Sequence, residues 1–370
     1  MAGLADSPDL RAADAPARGR PAAAKPSADS PSGTAAGPQL FADARQGGCV
    51  LACNASAALL DLGDGVMGLE VCARLGLWDS SVADLAAAAP DLVRRRQFRA
   101  LLVGTDDPCA FAAADPTGPG PVPAERARTG RRQDPPAGLE ACLRRGQQAL
   151  LALRYADFPV VFLADGLVTG GGLALLLHAD AVVAHAGLRT GFSERRFGLL
   201  PGWGGVAQVL VRAQALCGDT DAAARLALAL IGGARILDDV PEARVCGLLR
   251  DSDPVVGDRL HLLSVAKAHA LALARTYLRP QAAGIVAAGP AALPALETEG
   301  DRLAALGRLE PAEVDAVRAV ARIIAGGGAV RGARLSEIDV MRMERDAILA
   351  LVSSPQLRAR LAAHPILPQG

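Results

Sequence analysis

The 370-residue chain carries no net charge, no paired cysteine spacing, no uninterrupted apolar run of membrane-spanning length and no internal repeat, and each absence removes a class of function. Its 39 basic and 39 acidic residues cancel, so no overall field draws it to nucleic acid or to an anionic membrane. The seven cysteines are scattered; Cys49 and Cys53 have no second Cys or His pair at zinc-site spacing, and an odd number of thiols in a chain this long reads as reduced cysteine in a cytoplasmic protein. Every long hydrophobic stretch is interrupted by Gly, His or charge, which excludes a spanning helix. No fixed-period self-similarity supports a solenoid. The chain has neither G-x-x-x-x-G-K-[ST] nor G-x-S-x-G, and no G-x-G-x-x-G with a suitably placed acid in its first strand-helix unit, so phosphate-loop, dinucleotide and nucleophile-elbow chemistries are weak readings. No metal site is expected.

What remains is a chain that is 51% hydrophobic and able to bury a large core. Residues 1–45, rich in Ala, Pro, Ser and Asp, lack an apolar signal-peptide core and are expected to form a disordered tail. The stretch from Ala57 to Val71 alternates around Gly63-Asp64-Gly65 and predicts a hairpin. Ser81 to Arg96 has helical spacing, and Phe98 to Val103 reads as a buried strand. Thr117 to Gly138, rich in Pro, Gly and Arg, predicts a long exposed loop; its Arg126, Arg128, Arg131 and Arg132 suit phosphate oxygens, although a solvated charge run is the commoner meaning of such a cluster. A helix over Leu139 to Tyr155, a strand at Pro159 to Leu163, a helix from Gly171 and a strand at Asp180 to Ala184 repeat a strand-helix rhythm that argues for stacked parallel crossovers. From Ala223 the pattern is mostly helical, with helix starts at Glu310-Pro311 and Ser336 to Asp339 and a break at Gly326-Gly327-Gly328.

The most informative run is Asp165 to Ala179, in which Gly170, Gly171 and Gly172 open a long apolar helix directly after a strand, followed by Glu194 to Gly205. Backbone N–H groups at a helix start are orphan donors with partial positive charge, and missing side chains let a ligand oxygen approach them closely. A carbonyl oxygen developing negative charge is the ligand such a site suits.

Three segments, Phe111 to Asp115, Gly166 to Asp180 and Glu194 to Gly205, together resemble the crotonase (enoyl-CoA hydratase/isomerase) superfamily in order and spacing. Further likeness at Leu59 to Val71, Ala266 to Ala270 and Leu335 to Pro365 resembles the hydratase half of two-function proteins that join it to a 3-hydroxyacyl-CoA dehydrogenase. The resemblance implies an α/β crotonase-like spiral of stacked ββα units, with a core over 46–262 and a helical C-terminal region over 263–370. It implies an acyl-CoA or acyl-carrier thioester as substrate, no cofactor beyond the CoA of that substrate, no nicotinamide site, and a homotrimer or hexamer.

Carried over by position, the backbone N–H groups of Ala113 and Gly171 form the oxyanion hole, with Gly170, Gly172, Ala174 and Trp203 around the substrate. The Phe-Ala-Ala-Ala-Asp stretch lacks the glycine the family usually has there. Family hydratases hold a water molecule between two glutamates. One is present as Glu194, set between Phe192 and Phe197; the position of the other is Ala174. Members with a single glutamate at the Glu194 position include enoyl-CoA isomerases, so isomerisation is the preferred chemistry, hydration the family default, and a catalytically degenerate scaffold the rival. Surface pairing of Glu194 with Arg195 or Arg196 is the bland alternative for that residue, and a structural imidazole is the commoner role for His178, one turn beyond Ala174.

Overall fold

The computed structural model describes residues 41–72, 80–107, 135–306, 309–357 and 360. Its centre is a seven-stranded sheet of order β1-β2-β3-β4-β5-β7-β10, built from β1 (Val50–Cys53), β2 (Ala57–Asp61), β3 (Val66–Val71), β4 (Ala100–Gly104), β5 (Val160–Ala164), β7 (Ala181–His185) and β10 (Val255–Val256). The first three strands meander antiparallel, and β3, β4, β5, β7 and β10 run parallel. Parallel neighbours need long crossovers, which helices α2 (Ser80–Arg95), α3 (Pro135–Arg154) and α4 (Gly170–His178) occupy. The β2-β3 hairpin turns at the expected place, where Gly63, Asp64 and Gly65 all have positive φ.

Side chains alternate across the sheet. Leu101, Val103 and Phe162 join the large core beneath the crossover helices, whereas Leu102, Val161 and Val183 face a second core closed by Leu262, Ala266 and Ala270 of helix α8 (Leu262–Ala274). The central strands β2, β3, β4, β5 and β7 are therefore buried on both faces, which is why they read as continuous apolar runs. Helix α8 falls in the segment that the sequence assigns to the C-terminal region, yet it covers the sheet, and its Lys267 donates to the Leu62 carbonyl at 2.6 Å. Phe41, in the segment expected to be tail, is also fully buried and precedes the short helix α1 (Ala42–Gln46), because Gly68 and Gly104 leave room for its ring.

A second, three-stranded sheet pairs β6 (Leu167–Thr169) with β8 (Arg189–Gly191) in parallel, and β8 with β9 (Ile236–Leu237). Strand β5 leads to β6 and then α4; β7 leads to β8 and then, past a short turn, to α5 (Gly205–Cys217). Two successive ββα units thus stack one strand of each pair in each sheet, the spiral expected from the sequence.

Beyond α5 come α6 (Thr220–Ile231), α7 (Val240–Val245), α9 (Leu293–Ala305), α10 (Pro311–Ala325) and α11 (Glu337–Ser353). Reciprocal capping boxes start α10 at Glu310/Glu313 and α11 at Ser336/Asp339, and three positive-φ glycines, Gly326 to Gly328, end α10. A small antiparallel ladder, β11 (Gly284–Val286) with β12 (Arg334–Ser336), was not expected in the helical C-terminal region; its strands are three residues long, too short to show a period. Among the described residues no helix is long and apolar enough to cross a membrane, and six cysteines are unbridged.

Candidate active site

Strands β6 and β8 run side by side with Thr169 opposite Gly191. From this level α4 begins at Gly170, and Glu194 follows three residues after Gly191, so the glycine-rich helix start and the carboxylate leave the same end of one parallel ladder. Gly170 has φ +54°, a conformation a side chain would strain. A Cβ at Gly191 would run into the carbonyl oxygen of Arg235, the residue just before β9, which fixes position 191 as glycine.

Among the described residues no side chain caps α4, and within its first turn Gly171 is partly exposed while Gly170 and Gly172 are buried. The first N–H groups of a helix have no intrahelical partner, so this end offers backbone donors and the positive pole of the helix dipole. Ala113, the other expected donor, and the arginines of the long loop lie outside the described residues.

Glu194 opens a 3-10 turn, Glu194–Phe197, and its Oε2 accepts from the Ser193 N–H at 2.9 Å. It keeps part of its surface exposed, but its carboxyl is desolvated, which outweighs the backbone donors and pushes its proton affinity up to about 7. The neighbouring arginines do not neutralise it. Arg195 pairs with Glu313 of α10 at 2.7 Å, and Arg196 donates to the Ala234 carbonyl at 3.3 Å. The flanking charges therefore brace the turn while the Glu194 carboxyl keeps a proton affinity suited to exchange near neutral pH.

Ala174, where the resemblance puts the other glutamate of a hydratase, is buried on α4. One turn on, His178 Nδ1 lies 2.7 Å from the Ala174 carbonyl oxygen. A carbonyl only accepts, so Nδ1 carries the proton and Nε2 is bare and buried, with no hydrogen-bond partner among the described residues. Burial pulls the imidazole down to about 3, leaving it neutral and a weak base.

The Pro201 to Gly205 turn is clamped from three sides. A Cβ on Gly202 would meet Leu143 of α3 and Ile348 of α11 at 2.7 and 2.6 Å; one on Gly204 would strike Met341 and lie 2.9 Å from His178 Nε2. Trp203 is partly buried against the core, and a Cβ on Gly146 of α3 would run into its indole.

Glu344 of α11, fully buried, was missed from the sequence. It caps α5, accepting from Gly204 N at 2.7 Å, Val206 N at 2.9 Å and Ala207 N at 3.1 Å. The signal was available: Glu337, Val340, Met341, Glu344, Ile348 and Leu351 occupy one buried stripe, and a carboxylate on an apolar stripe demands partners.

No family model matches the chain. Its structure overlays an enoyl-CoA hydratase from Rhodobacter sphaeroides with TM-score 0.56 at 18% identity, covering 85% of this chain and 92% of that one. A second enoyl-CoA hydratase, from Bacillus halodurans, overlays with TM-score 0.52 at 12% identity, covering 84% and 100%. The chain has the crotonase fold. In sequence it is 25% identical over 313 residues to a Bacillus subtilis protein described as "Probable 3-hydroxyacyl-CoA dehydrogenase", covering 84% of this chain but 38% of that relative's length.

Proposed function

We propose that this chain processes acyl-CoA or acyl-carrier thioesters through an enolate, with Glu194 as the single acid/base. The observation that carries this reading is the shared exit of Gly170–Gly172 and Glu194 from one strand ladder: donors for an oxyanion on one side, a carboxylate of raised proton affinity on the other. The thioester oxygen accepts from the N–H of Gly171 and, by the resemblance, from Ala113. Each such donor contributes about 3 kcal/mol to an oxyanion in a dry site. The ionised Glu194 then removes a proton from the α carbon, and the electron pair delocalises onto the held oxygen.

Isomerisation of an enoyl thioester is the preferred outcome. The proton taken from the α carbon is returned at the γ carbon, the double bond moves into conjugation, and one carboxylate serves both steps. Hydration requires a second group to orient water, and Ala174 supplies none. The fold comparisons with enoyl-CoA hydratases and the partial match to a protein described as a probable 3-hydroxyacyl-CoA dehydrogenase support the thioester substrate class. The same reading carries a homotrimer or hexamer, a cytoplasmic location and no separate cofactor. A degenerate thioester-binding scaffold is the second reading, favoured by Ala174 and by the neutral, buried His178.

The test is spectrophotometric. Purified protein is incubated with 3-enoyl-CoA and with 2-enoyl-CoA over several chain lengths, and conjugated-thioester absorbance is followed. A rise from the first substrate alone, abolished in Glu194→Ala, supports isomerisation; a fall from the second supports hydration; equal inertness of both proteins supports the scaffold.

A further inference from the structure

We infer that Leu357 and Arg360, at the far end of the helical C-terminal region, are positioning residues for Glu194: they brace the 3-10 turn that carries its carboxyl. The inference rests on the proposed role of Glu194 as acid/base.

A turn of four residues has little of its own to hold it. Within Glu194–Phe197 and its cap, the Arg196 N–H donates to the Ser193 carbonyl at 3.0 Å, the Gly198 N–H to Arg195 at 2.7 Å and the Leu199 N–H to Glu194 at 3.1 Å. Short 3-10 segments have poor hydrogen-bond geometry and lean on their neighbours. The Glu194 carboxyl goes where this turn goes, because Oε2 accepts from the N–H of Ser193, the residue that opens it. Leu357 supplies one support. It is buried and seated on the cap, where Gly198 has φ +72° and a Cβ would meet Leu357 Cδ1 at 2.9 Å.

Arg360 supplies the other. Its Nη2 donates to the Arg196 carbonyl at 2.5 Å and its Nη1 to Glu310 Oε2 at 2.5 Å. Glu310 and Glu313 form the capping box of α10, and Glu313 also takes Arg195 from the turn. A ring therefore closes from the turn through Arg195 and Glu313 to the start of α10, then through Glu310 and Arg360 back to the turn at the Arg196 carbonyl. A guanidinium can close it because its planar fork donates in two directions at once. Both supports act on the backbone and cap of the turn, and a shift of the carboxyl by about 1 Å is enough to cost about 10²-fold in rate.

The experiment measures amide hydrogen exchange by mass spectrometry in the full chain, comparing wild type with Arg360→Ala and with the milder Arg360→Lys, which keeps the charge opposite Glu310 but lacks the fork. In Arg360→Ala a peptide covering residues 193–199 is expected to exchange at least about tenfold faster, the cost of one charge-assisted bond, while β4 keeps its protection; Arg360→Lys falls between. If Arg360→Ala fails to fold, Arg360→Lys decides alone. Unchanged exchange at the turn, or an equal acceleration in β4, overturns the inference. Exchange needs no turnover: a loosened turn in a protein inert toward every thioester leaves the brace standing and removes the proposed function. In an active protein, kcat of Arg360→Ala is expected to fall by about 10–10²-fold with KM unchanged. A wild-type kcat, or a loss confined to KM, overturns the positioning role.

Discussion

Replacing Glu194 with glutamine is expected to make the protein less active and more stable, and the second effect has a definite pH signature. The folded state raises Glu194 from 4.5 to about 7, a difference of 2.5 units. At about 1.4 kcal/mol per unit this is an upper bound of roughly 3 kcal/mol, and the partial exposure of the side chain reduces it to about 1–2 kcal/mol. For a group whose folded-state value is raised, the contribution to stability is whole below the unfolded value and is lost as pH rises through the folded one. The wild type therefore loses stability between about pH 4.5 and 7 as it is forced to ionise a desolvated carboxyl, and the amide variant does not. Thermal unfolding should give equal Tm values at pH 4 and a variant Tm higher by about 3–6 °C at pH 8.5, on a scale of roughly 2–4 °C per kcal/mol for a domain of this size class. Over the same range the wild-type kcat rises as pH passes 7, because the base is the ionised form, and the variant is slower by about 10²–10⁴. A Tm difference independent of pH, or a variant less stable at pH 8.5, refutes desolvation as the cause of the raised proton affinity.

Gly171→Pro deletes one N–H at a first-turn position where a helix tolerates proline, so circular dichroism should be unchanged while kcat falls by about 10²–10³. Gly204→Ala forces a Cβ into Met341 and His178 at φ +83° and should lower stability by about 2–3 kcal/mol, read by urea unfolding. Arg195→Met leaves Glu313 without its 2.7 Å partner and loosens the 3-10 turn; stability should drop by about 2–4 kcal/mol and kcat should fall with it, measured side by side on one preparation.

Much of this was legible in the sequence because local signals agreed with the tertiary outcome. The hairpin at Gly63-Asp64-Gly65 and the starts of α10 and α11 are written in turn and cap chemistry that acts within a few residues. The fully buried strands β4, β5 and β7 read as apolar runs because both faces of the sheet are covered. Glu194 was found through the resemblance of the run Glu194 to Gly205 to the crotonase pattern, and the structure adds what that resemblance withholds: its arginine neighbours are turned to Glu313 and Ala234. The short strands β6, β8 and β9, which set the level at which the two halves of the site meet, are two or three residues long and carry no period. Glu344 was marked in the sequence only as a carboxylate on an apolar stripe; what it binds was not, since its partners are backbone N–H groups about 140 residues away, and main-chain donors leave no mark in composition.

The central claim, that Glu194 and the Gly170–Gly172 helix start together make an enolate from a thioester, is tested most directly by solvent exchange. But-3-enoyl-CoA or a saturated acyl-CoA is held with the protein in deuterium oxide, and loss of the α-proton resonance is followed by NMR, which reports enolate formation whatever product follows. Exchange by the wild type, slowed at least about a hundredfold in Glu194→Gln, is the result the account predicts. A wild type that leaves the α protons in place across chain lengths, or a Glu194→Gln variant that exchanges them equally fast, contradicts it.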